Sequence, residues 1–178
     1  MAHGVAPVEE CCDNPDAGRE FCELPSKARS QITGSAYSCP RCNAPGKRID
    51  TATVKALLDK SLRLVTGSEY LFCRTETCPV VYFSSDGQST FRATDIRVPV
   101  FQKEPRNPNV PVCYCFRHTV GEILGSSQSD QAAILKDIET GIDVGQCACD
   151  LRNPQGSCCL GNVRALLKSL RTESIPAA

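Results

Sequence analysis

Tyr70-Leu-Phe-Cys73-Arg-Thr-Glu-Thr-Cys78-Pro-Val-Val-Tyr-Phe83 places two aromatic and β-branched runs on either side of a turn carrying two cysteines. Tyr70–Cys73 and Val80–Phe83 therefore read as strands, and the Cys73–Cys78 turn joins them. Ser84-Ser-Asp-Gly87 has the composition of a hairpin turn, with Ser89–Arg92 and Ile96–Phe101 expected to add strands. Upstream, Val54, Leu57, Leu58, Leu62 and Val65 recur at helical spacing, which predicts a helix over Thr51–Val65. Thr51 or Thr53 is its expected cap and Gly67 its end. Before that helix comes a second short cysteine turn, Cys39-Pro-Arg-Cys42, followed by the loop Asn43-Ala-Pro-Gly46. Strands, a helix and two cysteine turns make residues 38–101 a small α+β unit.

Cysteine usage governs the rest. Thirteen of 178 residues are Cys, and most lie in tight groups: Cys39/Cys42, Cys73/Cys78, Cys113/Cys115, Cys147/Cys149 and Cys158/Cys159, with Cys11, Cys12 and Cys22 near the start. A disulfide across one or two residues is strained, whereas a metal takes two thiolates from one short turn and two from another. Met1–Glu10 has neither a basic start nor an apolar run, so no secretory leader is expected. No stretch approaches the ~20 apolar residues of a membrane span. An odd number of cysteines also leaves one thiol over from any complete set of internal bridges. Metal in a reducing, cytoplasmic compartment is the expected setting. Lys plus Arg equals Asp plus Glu at 20 each, so there is no field for gripping nucleic acid or an anionic membrane. Aromatics are few and Trp is absent, a thin core of the sort that metal binding commonly supplements.

Residues 1–37 hold Pro7, Pro15 and Pro25 and no sustained apolar period, so a flexible cysteine-containing leader is expected. Residues 102–111, with Pro105, Pro108 and Pro111, read as a linker. Residues 112–171 follow as a mainly helical unit. Thr119-Val-Gly-Glu122 is a capping box for a short helix through Leu124. Ser129–Thr140 is a second helix with Ile134, Leu135 and Ile138 inward, stopped by Gly141. Leu160–Leu170 is a third, and 172–178 a frayed tail.

Two metal sites are expected. Cys39, Cys42, Cys73 and Cys78 have the C-x2–4-C spacing of zinc, and four thiolates leave no open position, so the site is structural rather than hydrolytic. Rubredoxin-like iron takes the same ligands. The second site takes Cys113 and Cys115, two apart on an extended segment and so on one side, with the cysteines that follow Gly145. Asn153-Pro154 starts a turn and Gly156 permits a positive φ before a cysteine opens a helix, where partial positive charge favours a thiolate. Four thiolates in two pairs is the inventory of a 2Fe–2S cluster; a second zinc fits C-x-C with a long return less well. Of the adjacent Cys158 and Cys159, the latter lies beside the stripe Leu160, Val163, Leu166, Leu167 and Leu170, which predicts Cys159 as the inward ligand.

The C-x-C, two helices and helix-opening cysteine resemble the bacterioferritin-associated-ferredoxin type of 2Fe–2S domain. More closely, Cys39–Cys42, Phe72–Phe83, Val112–Cys115 and Cys149–Cys159 resemble, in order, the motifs of the N-terminal part of CopZ-type iron–sulfur copper chaperones, over roughly residues 38–170. The resemblance implies zinc at Cys39, Cys42, Cys73 and Cys78. It implies a 2Fe–2S cluster at Cys113, Cys115, Cys149 and one of Cys158 and Cys159, and a role in intracellular copper handling, with reduction to Cu(I) before transfer. Full members carry a further C-terminal domain with a Met-x-Cys-x-x-Cys loop. The sole Met here is Met1, so transfer by such a loop is not expected within this polypeptide.

The leading expectation is thus a non-enzymatic, metallochaperone-like protein with zinc and a 2Fe–2S cluster, handling copper or mercury alongside a copper-carrying or redox partner. Cys11, Cys12 and Cys22 are candidate soft-metal ligands, and Cys147 is a bystander or labile thiol. The alternatives are a ferredoxin-like electron carrier with a structural zinc, and a zinc-dependent adaptor. His118 reads as a surface residue where a helix begins, and Tyr70, Tyr82, Phe83 and Phe91 as core. No phosphate loop, Ser/His/Asp array or carboxylate pair points to a hydrolase or kinase.

Overall fold

The computed structural model describes residues 37–67 and 69–173, all within one compact unit. Cys11, Cys12 and Cys22, nearly all of the expected leader, and residues 174–178 of the tail lie outside the described residues. The fold is mixed α+β: a four-stranded antiparallel sheet in the order β1-β2-β3-β4, then helices. The strands are β1 (Lys47–Ile49), β2 (Tyr70–Phe72), β3 (Val80–Ser84) and β4 (Thr90–Arg92). Phe72 stands opposite Tyr82, and Tyr82 opposite Phe91.

Alternation along β2 sorts the side chains onto two faces. Tyr70 and Phe72 join Ile49, Val54, Leu57, Leu58, Tyr82 and Phe91 in one core, while Leu71 turns the other way with Phe83, Val80 and three of the cysteines. On β3 an irregularity between Val80 and Tyr82 inserts one extra residue, so that consecutive Val81 and Tyr82 share a face. The hairpin after β3 uses Gly87 at φ +73°, with the Gly87 amide donating to Ser84 O at 3.1 Å.

Helix α1 covers Thr51–Leu57, shorter than the Thr51–Val65 expected. Its cap is Asp50, whose carboxylate accepts from Ala52 N at 2.8 Å, and not Thr51 or Thr53. The helix stops because Leu58 turns extended and bridges Ile96, while Arg97 N donates to Leu57 O at 2.9 Å. Leu58 is fully buried by that pairing, whereas Leu62 and Leu64, periodic in sequence, sit about half exposed at 50% and 52% on a separate 3₁₀ turn. Ile96–Phe101 forms no strand; Ile96 makes one isolated bridge, to Leu58, outside the sheet.

Residues 102–111 are a chain of turns rather than an extended spacer. Asn107 N donates to Glu104 O, Val110 N to Asn107 O, and Val110 is fully buried. Helix α2 (Val120–Gly125) opens on the capping box read from sequence, with Glu122 N donating to Thr119 Oγ1 and Thr119 N to Glu122 Oε2. Helix α3 (Gln128–Asp143), capped by Ser127, runs through Gly141 instead of stopping there. That glycine makes room for Phe116: a Cβ on it would lie 2.1 Å from Phe116 Cζ. Helix α4 is the single turn Cys149–Arg152, and α5 spans Leu160–Glu173. The helical core gathers Val112, Val120, Ile123, Ile134, Ile138, Val163 and Leu167 around Cys113 and Cys159. Among the described residues no helix is long and apolar enough to cross a membrane.

Candidate metal centres

Two knuckles build the first centre. In one, Asn43 N returns to Cys39 O at 2.9 Å and Cys39 N donates to Ala44 O at 2.8 Å, closing a loop around Cys39-Pro-Arg-Cys42. Asn43 takes φ +57°, a conformation its short polar side chain tolerates. The other knuckle continues β2 into Cys73, whose amide donates to Val81 O at 2.9 Å, and closes with Cys78 N on Thr75 O at 3.2 Å. The sheet thereby presents both knuckles at one place. The four Sγ atoms all lie within 4.8 Å of one another, the one set of three or more potential ligands among the described residues to do so. Cys39 and Cys78 stand 3.8 Å apart, Cys42 and Cys73 3.6 Å. A tetrahedron with zinc–sulfur arms of about 2.3 Å has edges of about 3.8 Å, so the set fits zinc without rearrangement.

Cys39, Cys73 and Cys78 are buried and Cys42 is partly open. Burial pushes the Cys39 thiol up to about 12 and raises Cys78. The Thr75 hydroxyl, 3.4 Å from Cys42 Sγ, together with the Ala44 amide brings that thiol down to about 6. Cys42 is thus more readily ionised at neutral pH than Cys39 or Cys78. Thr75 is a contributor that sequence reading missed; its place inside the Cys73–Cys78 turn was the available signal.

The second group gathers on the helical side. Cys113 and Cys115 lie on a bend and turn, not on the extended segment expected, and Arg117 at φ +67° completes the reversal. The turn is held by Val112 N and Cys113 N, both donating to His118 O at 2.8 and 3.1 Å. Cys115 Sγ is 3.8 Å from Cys149 Sγ and accepts from Ala148 N at 3.3 Å. Cys159 caps α5, its carbonyl taking Val163 N at 3.1 Å, and its thiol is buried in the helical core with Cys113. The neighbouring Cys159 thiol brings Cys113 down to about 7 and Cys149 to about 6, while Cys159 itself is raised by the same two neighbours. Burial pushes Cys115 up to about 11. The structure therefore brings Cys113, Cys115, Cys149 and Cys159 together as one thiol cluster. Cys158 is exposed; Cys147 is half-buried, its thiol raised chiefly by burial, and it reaches Cys149. His118 turns to Asp137 at 2.9 Å and Glu122 at 3.1 Å.

Comparison with known proteins agrees with the first centre. Residues 36–97 match the CopZ-type family described as "Zinc binding domain". The chain is 35% identical over 121 residues to "Copper chaperone CopZ" of Archaeoglobus fulgidus, an alignment covering 68% of this chain and 57% of that relative. It also superposes on the X-ray structure of the Archaeoglobus fulgidus CopZ N-terminal domain with a TM-score of 0.58 and 32% identity, covering 72% of this chain and 96% of that one. Residues 36–97 thus form a zinc-binding domain of the CopZ type, in a chain homologous to a copper chaperone.

Proposed function

We propose that this chain is a metallochaperone-like protein for copper or another soft metal, with zinc at Cys39, Cys42, Cys73 and Cys78 and a 2Fe–2S cluster at Cys113, Cys115, Cys149 and Cys159. The observation that carries the second assignment is the position of Cys159, buried at the start of α5 in the same core as Cys113, while Cys149 stands 3.8 Å from Cys115. Among the described residues the four sulfurs of the first centre alone close to within 4.8 Å of one another. Two thiolates from the Cys113–Cys115 turn and two from the segment Cys149–Cys159 match a group with two metal ions, each taking a pair of thiolates. When bound, a 2Fe–2S cluster supplies one electron at a time, the difference between Cu(II) and Cu(I).

The residues do the rest. The turn at Cys113–Cys115 and the N-terminus of α5 each deliver thiols, and the Ala148 amide offers a hydrogen bond to Cys115 sulfur, the kind of contact that tunes such centres. The homology to a copper chaperone supports a non-enzymatic carrier working with a copper-carrying or redox partner. A cytoplasmic setting follows from thiols kept reduced. Cys11, Cys12 and Cys22 remain the proposed soft-metal ligands.

Anaerobic purification with metal analysis and visible spectroscopy tests this reading. About one zinc and about two irons per chain are expected, with red-brown absorption. The dithionite-reduced protein should convert stoichiometric Cu(II) to a chelatable Cu(I) species as its spectrum returns to the oxidised form. A colourless protein with about two zinc ions overturns the cluster. An intact cluster inert toward Cu(II) leaves a plain electron carrier.

A further inference from the structure

The segment Cys149–Cys159 carries two of the proposed cluster ligands, and its hydrogen bonds lead back to the sheet. Thr53 Oγ1, on α1, donates to Asp150 O at 2.5 Å. Tyr82 OH, on β3, donates to Pro154 O at 2.8 Å. Lys47 Nζ, on β1, donates to Gln155 O at 3.0 Å and Ser157 Oγ at 2.5 Å. Thr53 and Tyr82 are both fully buried, and burial lowers the Lys47 ammonium below its ordinary range. Gly156 closes the fit: at φ +61°, a Cβ there would stand 2.8 Å from Ile49 Cγ1 and 3.3 Å from Thr53 Oγ1. From this anchored stretch Gln155 Nε2 reaches Cys158 O at 3.0 Å, directly before Cys159.

Thr53, Tyr82 and Lys47 donate to Asp150, Pro154, Gln155 and Ser157 rather than to the cysteines. Each fixes a main-chain point within the segment whose first and last residues are ligands. A cluster is held only while all four sulfurs keep their places, so freedom in the segment becomes freedom in the positions of Cys149 and Cys159.

We infer that Tyr82, Thr53 and Lys47 are positioning residues for the iron–sulfur ligands: the zinc-bearing sheet is the platform on which Cys149 and Cys159 are set. The inference rests on the cluster assignment proposed above. The coupling has a direct route, because β3 continues from Cys78 by way of Pro79 and carries Tyr82 four residues on. One half of the molecule therefore holds a metal of its own and fixes the geometry of the other's.

The test uses the whole chain with both metals, purified anaerobically, and follows iron and zinc release to a chelator in parallel. Tyr82→Phe removes one hydroxyl and no volume. It is expected to speed iron release on the order of fivefold, the equivalent of one buried hydrogen bond, while zinc release stays unchanged. The electron paramagnetic resonance spectrum of the reduced cluster should shift as well. Thr53→Val should behave alike and Thr53→Ser should restore the original rate, which a general loss of stability does not predict. Unchanged iron release and spectra in both variants, or equal acceleration of zinc and iron release, overturns the inference while leaving the cluster assignment intact. A parent protein that binds no iron overturns both.

Discussion

Cys73→Ser is expected to abolish zinc binding and to unfold the sheet, at a cost of more than about 4 kcal/mol. Cys73 is 1% exposed, follows β2 without a break and shares its face with Leu71, Phe83 and Val80. Without the metal this second core sets Leu71, Val80 and Phe83 against the buried thiols of Cys39, Cys73 and Cys78, and burial raises both Cys39 and Cys78. It offers little apolar packing to replace four metal–sulfur bonds. Thermal unfolding with zinc quantification checks the outcome. A variant that retains one zinc per chain and melts near the parent temperature removes zinc from these four residues. Iron retention should weaken in the same variant, because Tyr82 stands on the strand that the zinc knuckle anchors.

The second large effect separates two neighbours in the chain. Cys159→Ser is expected to eliminate the visible spectrum and nearly all bound iron, and Cys158→Ser to leave both intact. Cys159 is 1% exposed and packed in the core that holds Cys113, whereas Cys158 faces solvent. Alkylation of the native protein gives an independent check: Cys158 should react quickly and Cys159 should be protected. A normal spectrum in Cys159→Ser with loss in Cys158→Ser reverses the assignment and requires the start of α5 to turn its other side chain inward.

Most of the candidate chemistry was legible because cysteine spacing is a local signal. Cys39-x2-Cys42 and Cys73-x4-Cys78 are turns that look the same in the sequence and in the fold, and the aromatic runs around the second are the strands they appear to be. The Thr119–Glu122 capping box likewise needs only four residues to be recognised. What escaped depends on distant partners. Leu58 belongs to a helical period in sequence, yet its bridge to Ile96, 38 residues away, ends the helix. Lys47–Ile49 is three residues long and shows no alternation, so its strand exists because Phe72, Leu71 and Tyr70 lie opposite. Gly141 has the look of a helix stop and is instead the seat of the Phe116 ring. The prolines of 102–111 suggested a spacer, whereas their turns bury Val110 and place Tyr114, whose hydroxyl donates to Pro99 O at 2.7 Å. Asn153-Pro154 and Gly156 mark the turn that the Gly156 amide closes on Asn153 O, but nothing local announces the helical turn Cys149–Arg152 or that Thr53, Tyr82 and Lys47 hold the segment.

X-ray absorption at the zinc and iron edges of the anaerobically purified chain tests the two-centre account most directly. The account predicts zinc in a shell of four sulfurs at about 2.3 Å, and iron with sulfur neighbours and a second iron close by. Zinc with nitrogen or oxygen ligands, or iron absent while zinc fills both sites, contradicts it.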